Sequence, residues 1–387
     1  MFGFCFAHSF MFNLKYYIFY NTRYDLILIY FVVLRNSSVV MHKTLNIPGF
    51  FALILIALTF FVAVFVYYLA PDSSPYANEM HLELSLLEPQ TEVNFIKLRN
   101  QNKTDVSFLD RLIYGEKMNY RSVPVNSFTL KENELEYVPY NSSYSKKLML
   151  SQLDGNTPDI FSCVRIFYLG TDKYGRDLLS RLMVATRISL AVGFISVFIS
   201  LLIGITLGLM SGYYGSWIDK IIMWLINVVW SIPTLLMVIA ISLALGKGFW
   251  QVFVAVGLTM WVEVARVVRG QVMSLKKMEY IQAAQVLGFG NIRIMFAHIL
   301  PNIMSPVIVI SAANFASAIL MEAGLSFLGI GAQAPIPSWG SMIKDHYAYI
   351  ILDKAYLAVA PGMAIMFLVL AFMLLGNMVR DRLDVRT

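Results

Sequence analysis

The chain has 387 residues, 58% of them hydrophobic and only 14% charged, with a formal net charge of +6. Ordinary soluble domains run at roughly 45–50% apolar and about 25% charged, so soluble-enzyme, disordered and collagen-like classes are excluded. The lysines and arginines gather into no basic domain, which excludes nucleic acid as a partner, and the two cysteines, Cys5 and Cys163, allow one bridge at most. What remains is an integral membrane protein.

A bilayer core about 30 Å thick needs about 20 apolar helical residues to cross it. Residues 1–48 come first, as an N-terminal segment on the cytoplasmic side. Its aromatic stretch Phe10–Leu34 is interrupted by Lys15, Arg23 and Asp25. Met1–Val40 is therefore an extension, a misassigned start ahead of Met41, or an interfacial aromatic segment. Gly49–Ala70 (residues 49–70) is uncharged and makes the first span. Ile188–Met210, Ile221–Leu245 with Pro233 inside it, Phe249–Ala265, Ile303–Leu328 and Ala355–Met378 follow within residues 188–378. The expected fold class is all-α and polytopic, with six transmembrane helices.

Lys and Arg in short loops set orientation. Arg266, Arg269, Lys276, Lys277 and Arg293 fall between spans four and five, and Arg380, Arg382 and Arg386 fall at or in the C-terminal tail, residues 379–387. Both termini and the loop at residues 274–301 are therefore expected to be cytoplasmic. The long segment at residues 71–187 is then an extracytoplasmic insertion between spans one and two, either a small folded cap or ordered loops.

No catalytic centre is legible. There is no phosphate-cradling Gly-x-x-x-x-Gly-Lys-Ser/Thr, no His-Glu-x-x-His, and the five histidines are scattered, so no metal site is expected. Gly324-Leu325-Ser326 resembles the start of a nucleophile elbow but lacks the final glycine, and Ser326 reads better as a helix-packing residue.

The informative stretch is Ser274–Pro301. Leu275, Met278, Ile281, Gln282, Gln285 and Val286 follow helical spacing, Ser274 is the expected N-cap, and Gly288 is where the helix should stop. A second helix over Asn291–Leu300 would run back to the membrane at Pro301. Ala283 and Ala284 leave one face nearly bare, open to close approach by another protein. The whole is a helix-turn-helix at the membrane surface, shaped to be gripped.

Gln282-Ala283-Ala284, Gly288 and Leu300-Pro301 stand at the spacings of the "EAA" loop that binding-protein-dependent ABC importer permeases carry, and the stretch resembles that loop. Gln282 replaces the motif's glutamate. Glu279-Tyr280 and His298-Ile299-Leu300-Pro301-Asn302 resemble the dipeptide, oligopeptide and nickel subfamily. Gly170-Thr171-Asp172-Lys173-Tyr174-Gly175-Arg176-Asp177 resembles the segment before span two in its C-type subunits. Trp261, Arg269-Gly270-Gln271, Glu322, Leu325 to Gly329, Trp339-Gly340 and Leu375 to Asp384 continue the series, with Asn377 in place of the usual aspartate.

That resemblance implies a bacterial inner-membrane permease that pairs with a second permease subunit to form one pathway. Two cytoplasmic ATP-binding subunits would grip the loop through Glu279, Gln282, Ala283, Ala284, Gly288, Leu300 and Pro301. They would hold the ATP and Mg; this chain would bind no cofactor and catalyse nothing. An extracytoplasmic substrate-binding protein would deliver a peptide, or nickel, and lipid would surround the spans. Glu279 either meets the ATPase or only favours its own helix start. Glu322 and Ser326 either border the pathway or a hydrogen-bond network, or sit at the outer interface. Asp172, Arg176 and Asp177 form a gate contact, a docking ledge or local ion pairs. A gradient-driven transporter or channel is the reading from another class.

Overall fold

The computed structural model describes residues 47–99, 107–116, 120–131, 134–155, 157–246 and 248–383. The chain divides into two compact units, Met1–Phe50 and Phe51–Thr387. Almost all of the first, including Met1–Val40, lies outside the described residues, as does the tail beyond Leu383.

Helix α1, Ile47–Leu69, carries no charge. At 1.5 Å per residue it is about 34 Å long, enough to cross the hydrocarbon core. The insertion that follows is a folded domain that, against the all-α expectation, carries a β-sheet among the described residues. Its five strands are β1 (Thr91–Arg99), β2 (Tyr120–Lys131), β3 (Glu134–Pro139), β4 (Lys146–Met149) and β5 (Ser162–Phe167), with the short helix α2 (Phe108–Tyr114) between β1 and β2. They pair antiparallel in the order β4-β3-β2-β1-β5. Apolar side chains fill both faces of the sheet. Ile96, Val125, Leu135, Leu153 and Phe161 close one side, and Leu84, Val93, Phe95 and Phe167 the other.

Helix α3, Leu178–Tyr214, starts ten residues before the expected span at Ile188, because Asp177 caps it well outside the apolar run. The expected third span, Ile221–Leu245, is not one helix. It is α4 (Ser216–Trp230) and α5 (Thr234–Leu245), bent by 92° at Ser231–Pro233. Pro233 offers no N–H to continue the ladder and instead stands as the N-cap of α5. Neither piece, at about 22 and 18 Å, crosses a 30 Å core alone. Helices α6 (Phe249–Leu275), α8 (Met304–Phe327) and α10 (Tyr356–Leu383) complete the membrane part, with α7 (Glu279–Val286) and α9 (Trp339–His346) between them. The six expected spans thus stand as five continuous helices and one broken pair among the described residues.

The tightest packing joins α3 to α6. A Cβ at Gly204 would lie 2.8 Å from the Trp261 carbonyl, one at Gly208 2.7 Å from that of Ala265, and one at Gly212 2.9 Å from that of Arg269. The stripe repeats every four residues, one helical turn, so the two backbones meet along its whole length. Gly208→Val should therefore overpack the contact and cost about 1–3 kcal/mol, read as a lower Tm in detergent. Gly270 faces open space, and Gly270→Ala should leave Tm unchanged.

Candidate functional site

The segment from α7 to α8 is built as two short helices lying against a buried floor. Ser274 is not the N-cap of α7: α6 runs on to Leu275, and the chain turns through Lys276–Met278 before Met278 takes the cap position. Glu279 opens α7, where a carboxylate meets the positive end of the helix. Gly288 ends it, at φ +77°. The Phe289 N–H donates to the Ala284 carbonyl at 3.1 Å and the Gly288 N–H to that of Gln285 at 3.0 Å, which is a Schellman closure. A Cβ at Gly288 would meet nothing within 4 Å, so only the backbone conformation of this chain asks for glycine. The helix expected over Asn291–Leu300 is not regular. One α-turn, Asn291–Arg293, widens into a π-helical stretch over Ile294–Ile299 and tightens again over Leu300–Ile303. Pro301 supplies no N–H, which breaks the regular ladder there.

The two alanines do not share a bare face. Ile281 and Ala284 are buried, packed with Val268 and Val272 of α6, Leu209 and Tyr213 of α3, and Ile294, Met295 and Ile299. Ala283 points outward with Gln282 and Gln285, and Val286 (88% exposed), Leu287 (73%) and Ile292 (69%) form an apolar crest beside them. Leu300 packs at the edge of the same core, while Pro301 and Glu279 are exposed. A cleft of about 790 Å³ flanks the crest, lined by Met273, Lys276, Lys277, Gln282, Gln285 and Val286.

Polar ties fix this platform to the ends of α3, α4 and α6. Arg269 donates to both carboxylate oxygens of Asp219 at 2.6 and 2.7 Å, and Ser211 donates to the same carboxylate. Lys276 Nζ reaches the Tyr213 carbonyl at 2.6 Å, and the Tyr213 hydroxyl donates to Asn291 Oδ1 at 2.9 Å. Phe289 stacks on His298 with centroids 5.7 Å apart, and the Arg293 guanidinium lies over the Phe289 ring, 4.4 Å from its centroid. Sequence reasoning missed Asp219, Tyr213 and Asn291, because the ties Asp219–Arg269, Tyr213–Lys276 and Tyr213–Asn291 each span 50 or more residues.

Asp172, Arg176 and Asp177 are brought together, but inside. Asp172 is fully buried; its Oδ1 accepts the Tyr174 and Arg176 N–H groups at 2.8 and 3.0 Å, and its Oδ2 accepts Arg176 Nε at 2.6 Å. Arg176 Nη1 donates to Asn78 Oδ1 at 3.0 Å. Asp177 caps α3 by accepting the Ser180 N–H at 2.8 Å, and Ser180 Oγ accepts the Asp72 N–H at 2.9 Å. Burial raises the Asp177 carboxyl above its ordinary value, partly offset by these Ser180 bonds. Buried as they are, the three residues join residues 72–87 to the start of α3 through an Asp172–Arg176 ion pair, the Arg176–Asn78 hydrogen bond and the Asp177 cap, a local latch.

Glu322 and Ser326 are likewise brought together and buried. Ser326 Oγ donates to Glu322 Oε1 at 2.5 Å and accepts the Ala332 N–H at 3.2 Å. The pair pins the turn after α8 to the helix it leaves.

The insertion holds a cluster with no sequence signature. Glu79 Oε1 stands 3.2 Å from His81 Nε2, its Oε2 2.7 Å from Arg165 Nη1, and Ser122 donates to it as well. Burial pushes the Glu79 carboxyl up, but His81, Arg165 and Ser122 outweigh it and hold the group at about 2. These residues are spread over 87 positions of chain, and only the fold gathers them.

With that geometry in hand, the chain can be set against known proteins. The family model "Binding-protein-dependent transport system inner membrane component" matches residues 204–387. The dipeptide transport system permease protein DppC of Alkalihalophilus pseudofirmus is 39% identical over 244 residues, which cover 63% of this chain and 78% of that protein. The glutathione transport system permease protein GsiD of Pectobacterium atrosepticum is 42% identical over 217 residues, 56% and 72% of the two chains. The oligopeptide transport system permease protein OppC of Bacillus subtilis is 37% identical over 240 residues, 61% and 78%. The chain belongs to the family of inner-membrane components of binding-protein-dependent transport systems. It is a multi-pass permease subunit, and that membership disfavours the gradient-driven reading.

Two outcomes follow from the buried charges. Asp172→Ala strands Arg176 in a buried site and should cost about 3–5 kcal/mol, whereas breaking the exposed Glu134–Lys147 pair by Glu134→Ala should cost under about 1 kcal/mol; thermal unfolding of each variant compares them. Because the folded Glu79 value lies below the ordinary 4.5, its stabilising contribution is complete above pH 4.5 and is lost as pH falls toward about 2. Glu79→Gln should flatten acid unfolding of the insertion over that window; an unchanged acid profile would remove Glu79 from it.

Proposed function

We propose that this chain is one of two permease subunits forming the translocation pathway of an ATP-driven peptide importer. The observation that carries the coupling role is the two-sidedness of α7. Its outer side is an exposed crest, Val286 and Leu287, beside a cleft, and its inner side, Ile281 and Ala284, belongs to the core shared by α3, α6 and the lead-in to α8. A partner that grips the crest therefore holds the ends of three spans. The dipeptide, glutathione and oligopeptide assignments of the similar permeases support peptides as the cargo class.

In this reading the α7 side faces the cytoplasm, in keeping with the Lys and Arg bias, and the insertion faces outward. Two ATP-binding subunits dock on the α7 platforms of the two permeases and hold the ATP and magnesium. Glu279, Gln282, Ala283 and Gly288 border the docking surface, Ala284 supports it from beneath, and Leu300 and Pro301 end it. Closure of the ATPase pair displaces α7. The displacement tilts the spans between two arrangements, and a binding protein delivers substrate on the far side. Coupling then equals the difference in ATPase contact between the two arrangements. This chain carries out no bond chemistry.

Gly288→Asp puts a charged side chain into open space at the edge of the crest, where only a docked partner would meet it. Uptake of a dipeptide into proteoliposomes should fall by at least tenfold, equivalent to about 1.4 kcal/mol or more of lost docking, with normal insertion and a detergent Tm lowered only by the local strain of a side chain at positive φ, about 1 kcal/mol. Undiminished uptake, with the ATPases still co-purifying, would sink the docking assignment.

A further inference from the structure

Helix α2 lies within the insertion but is built unlike the rest of it. On a helical projection Phe108, Leu109, Leu112 and Ile113 fall within an arc of about 140°, and Asp110, Arg111 and Tyr114 occupy the remainder. No residue of α2 is buried. Phe108 and Leu109 are each 63% exposed and Ile113 is 54% exposed, although the sheet a few residues away has a closed apolar core. A short helix that keeps an ordered apolar face out of its own domain's core has another surface to meet.

Its position says which. Arg187 Nε and Nη2 bind the Ala63 and Val64 carbonyls of α1 at 2.5 and 2.9 Å. The same guanidinium binds the Leu112 and Ile113 carbonyls of α2 at 2.6 and 2.9 Å. The end of α2 is therefore level with Ala63, six residues inside the end of α1 at Leu69, or about 9 Å along its axis. Arg187 is also the last charged residue of α3 before an uncharged run that lasts to Ile218. That places the guanidinium, and the α2 carbonyls it holds, at the edge of the hydrocarbon. A sheet domain standing clear of the membrane would have no element at this depth.

The surroundings agree. The Tyr68 ring packs on Phe108 at 5.5 Å and carries Arg111 over its face at 4.9 Å, an aromatic and basic belt of the kind that marks a membrane boundary. Gly115, at φ +79°, lets the chain leave α2 directly against α1: a Cβ there would lie 2.7 Å from the Ser73 carbonyl and 2.9 Å from the Tyr67 ring. Glu116 N–H then donates to Ser73 at 2.9 Å. Leu58, Phe60, Phe61 and Leu69 of α1 are exposed as well, as a helix that meets lipid would have them. We propose that α2 is a membrane-surface helix whose Phe108, Leu109 and Ile113 enter the lipid of the leaflet on the insertion side and hold the sheet domain down on the bilayer.

The test uses the assembled transporter in lipid nanodiscs, in a Cys5→Ser, Cys163→Ser background. A nitroxide is attached in turn at Leu109→Cys, Ile113→Cys and Asp110→Cys. Collisions with oxygen, which concentrates in lipid, should outweigh those with a water-soluble nickel chelate at positions 109 and 113. The order should reverse at position 110. Nickel outweighing oxygen at positions 109 and 113 would put the face in water. Shielding from both reagents would put it under another protein subunit, and either result overturns the proposal. If labelling at position 113 blocks insertion, Ile113→Trp with brominated lipid tails gives the same decision when the signal of the parent, with its own six tryptophans, is subtracted: quenching of the added fluorescence supports lipid contact, and its persistence refutes it.

Discussion

The close approach of α3 and α6 is the constraint on which the rest of the membrane part depends. Lipid tails are as apolar as the side chains they would replace, so helices in a bilayer associate through contact area rather than through escape from water. Gly204, Gly208 and Gly212 supply that area by letting the α6 backbone sit directly on α3. The consequence reaches beyond the pair. Val264, Val268 and Val272, which press on those glycines, turn their remaining surface toward Ile281, Ala284 and Ile294, so the platform under α7 is laid on a floor that the glycine stripe creates. A wider α3–α6 spacing would leave α7 without its support.

At the insertion end the joints are of another kind. The Asp172–Arg176 latch, the Asp177 cap and the Arg187 guanidinium tie residues 72–87 and α1 to α3. Lys173 pairs with Asp345 of α9 at 3.3 Å, Lys354 donates to the Leu86 carbonyl at 2.7 Å, and Tyr356 donates to that of Leu87 at 2.9 Å. Each is directional, and several are buried. A buried ion pair adds little net stability over an apolar pair, but separating its partners is costly because each charge is left without water. These contacts therefore resist relative movement more than they hold the fold up.

Legibility in the sequence follows the range of the interactions. Gly288 was readable because a helix stop needs only the local preference for positive φ. The apolar lengths of α1, α6, α8 and α10 were readable because they too are local. The break at Ser231–Pro233 was not, since a proline inside an apolar run fits a kinked span and a broken one equally well. Ala283 and Ala284 look alike in sequence, and only the position of α6 decides that Ala284 faces in. The Gly170–Asp177 motif announced importance without announcing burial, because its partners Asn78, Leu84 and Leu87 lie 84 to 98 residues away. The sheet was hidden by an alternation that slips: Val93 and Phe95 point to one face, but Ile96 and Leu98 continue on the other. The Glu79 cluster left no trace, being a product of tertiary pairing alone.

The two ends of the molecule are thus held by physically different means, and that difference fits a lever. Apolar contacts such as those beneath α7 are non-directional, so packed helices slide across them by small steps at little cost until a new interdigitation is reached. Directional polar joints permit no such intermediate positions. A displacement applied at the α7 crest is therefore absorbed first by sliding around Ile281, Ala284 and Met295, and is passed along α3, α6 and α8 as rigid rods. Under the proposed coupling it would meet resistance where Asp172 and Arg176 hold the start of α3 and Glu322 and Ser326 the end of α8. Three polar ties at the α7 end, Arg269–Asp219, Lys276–Tyr213 and Tyr213–Asn291, are exceptions to this division, and the first obliges the broken pair α4–α5 to follow α6. A helix already bent by 92° at Pro233 is the segment best able to accept that motion without breaking its own hydrogen bonds.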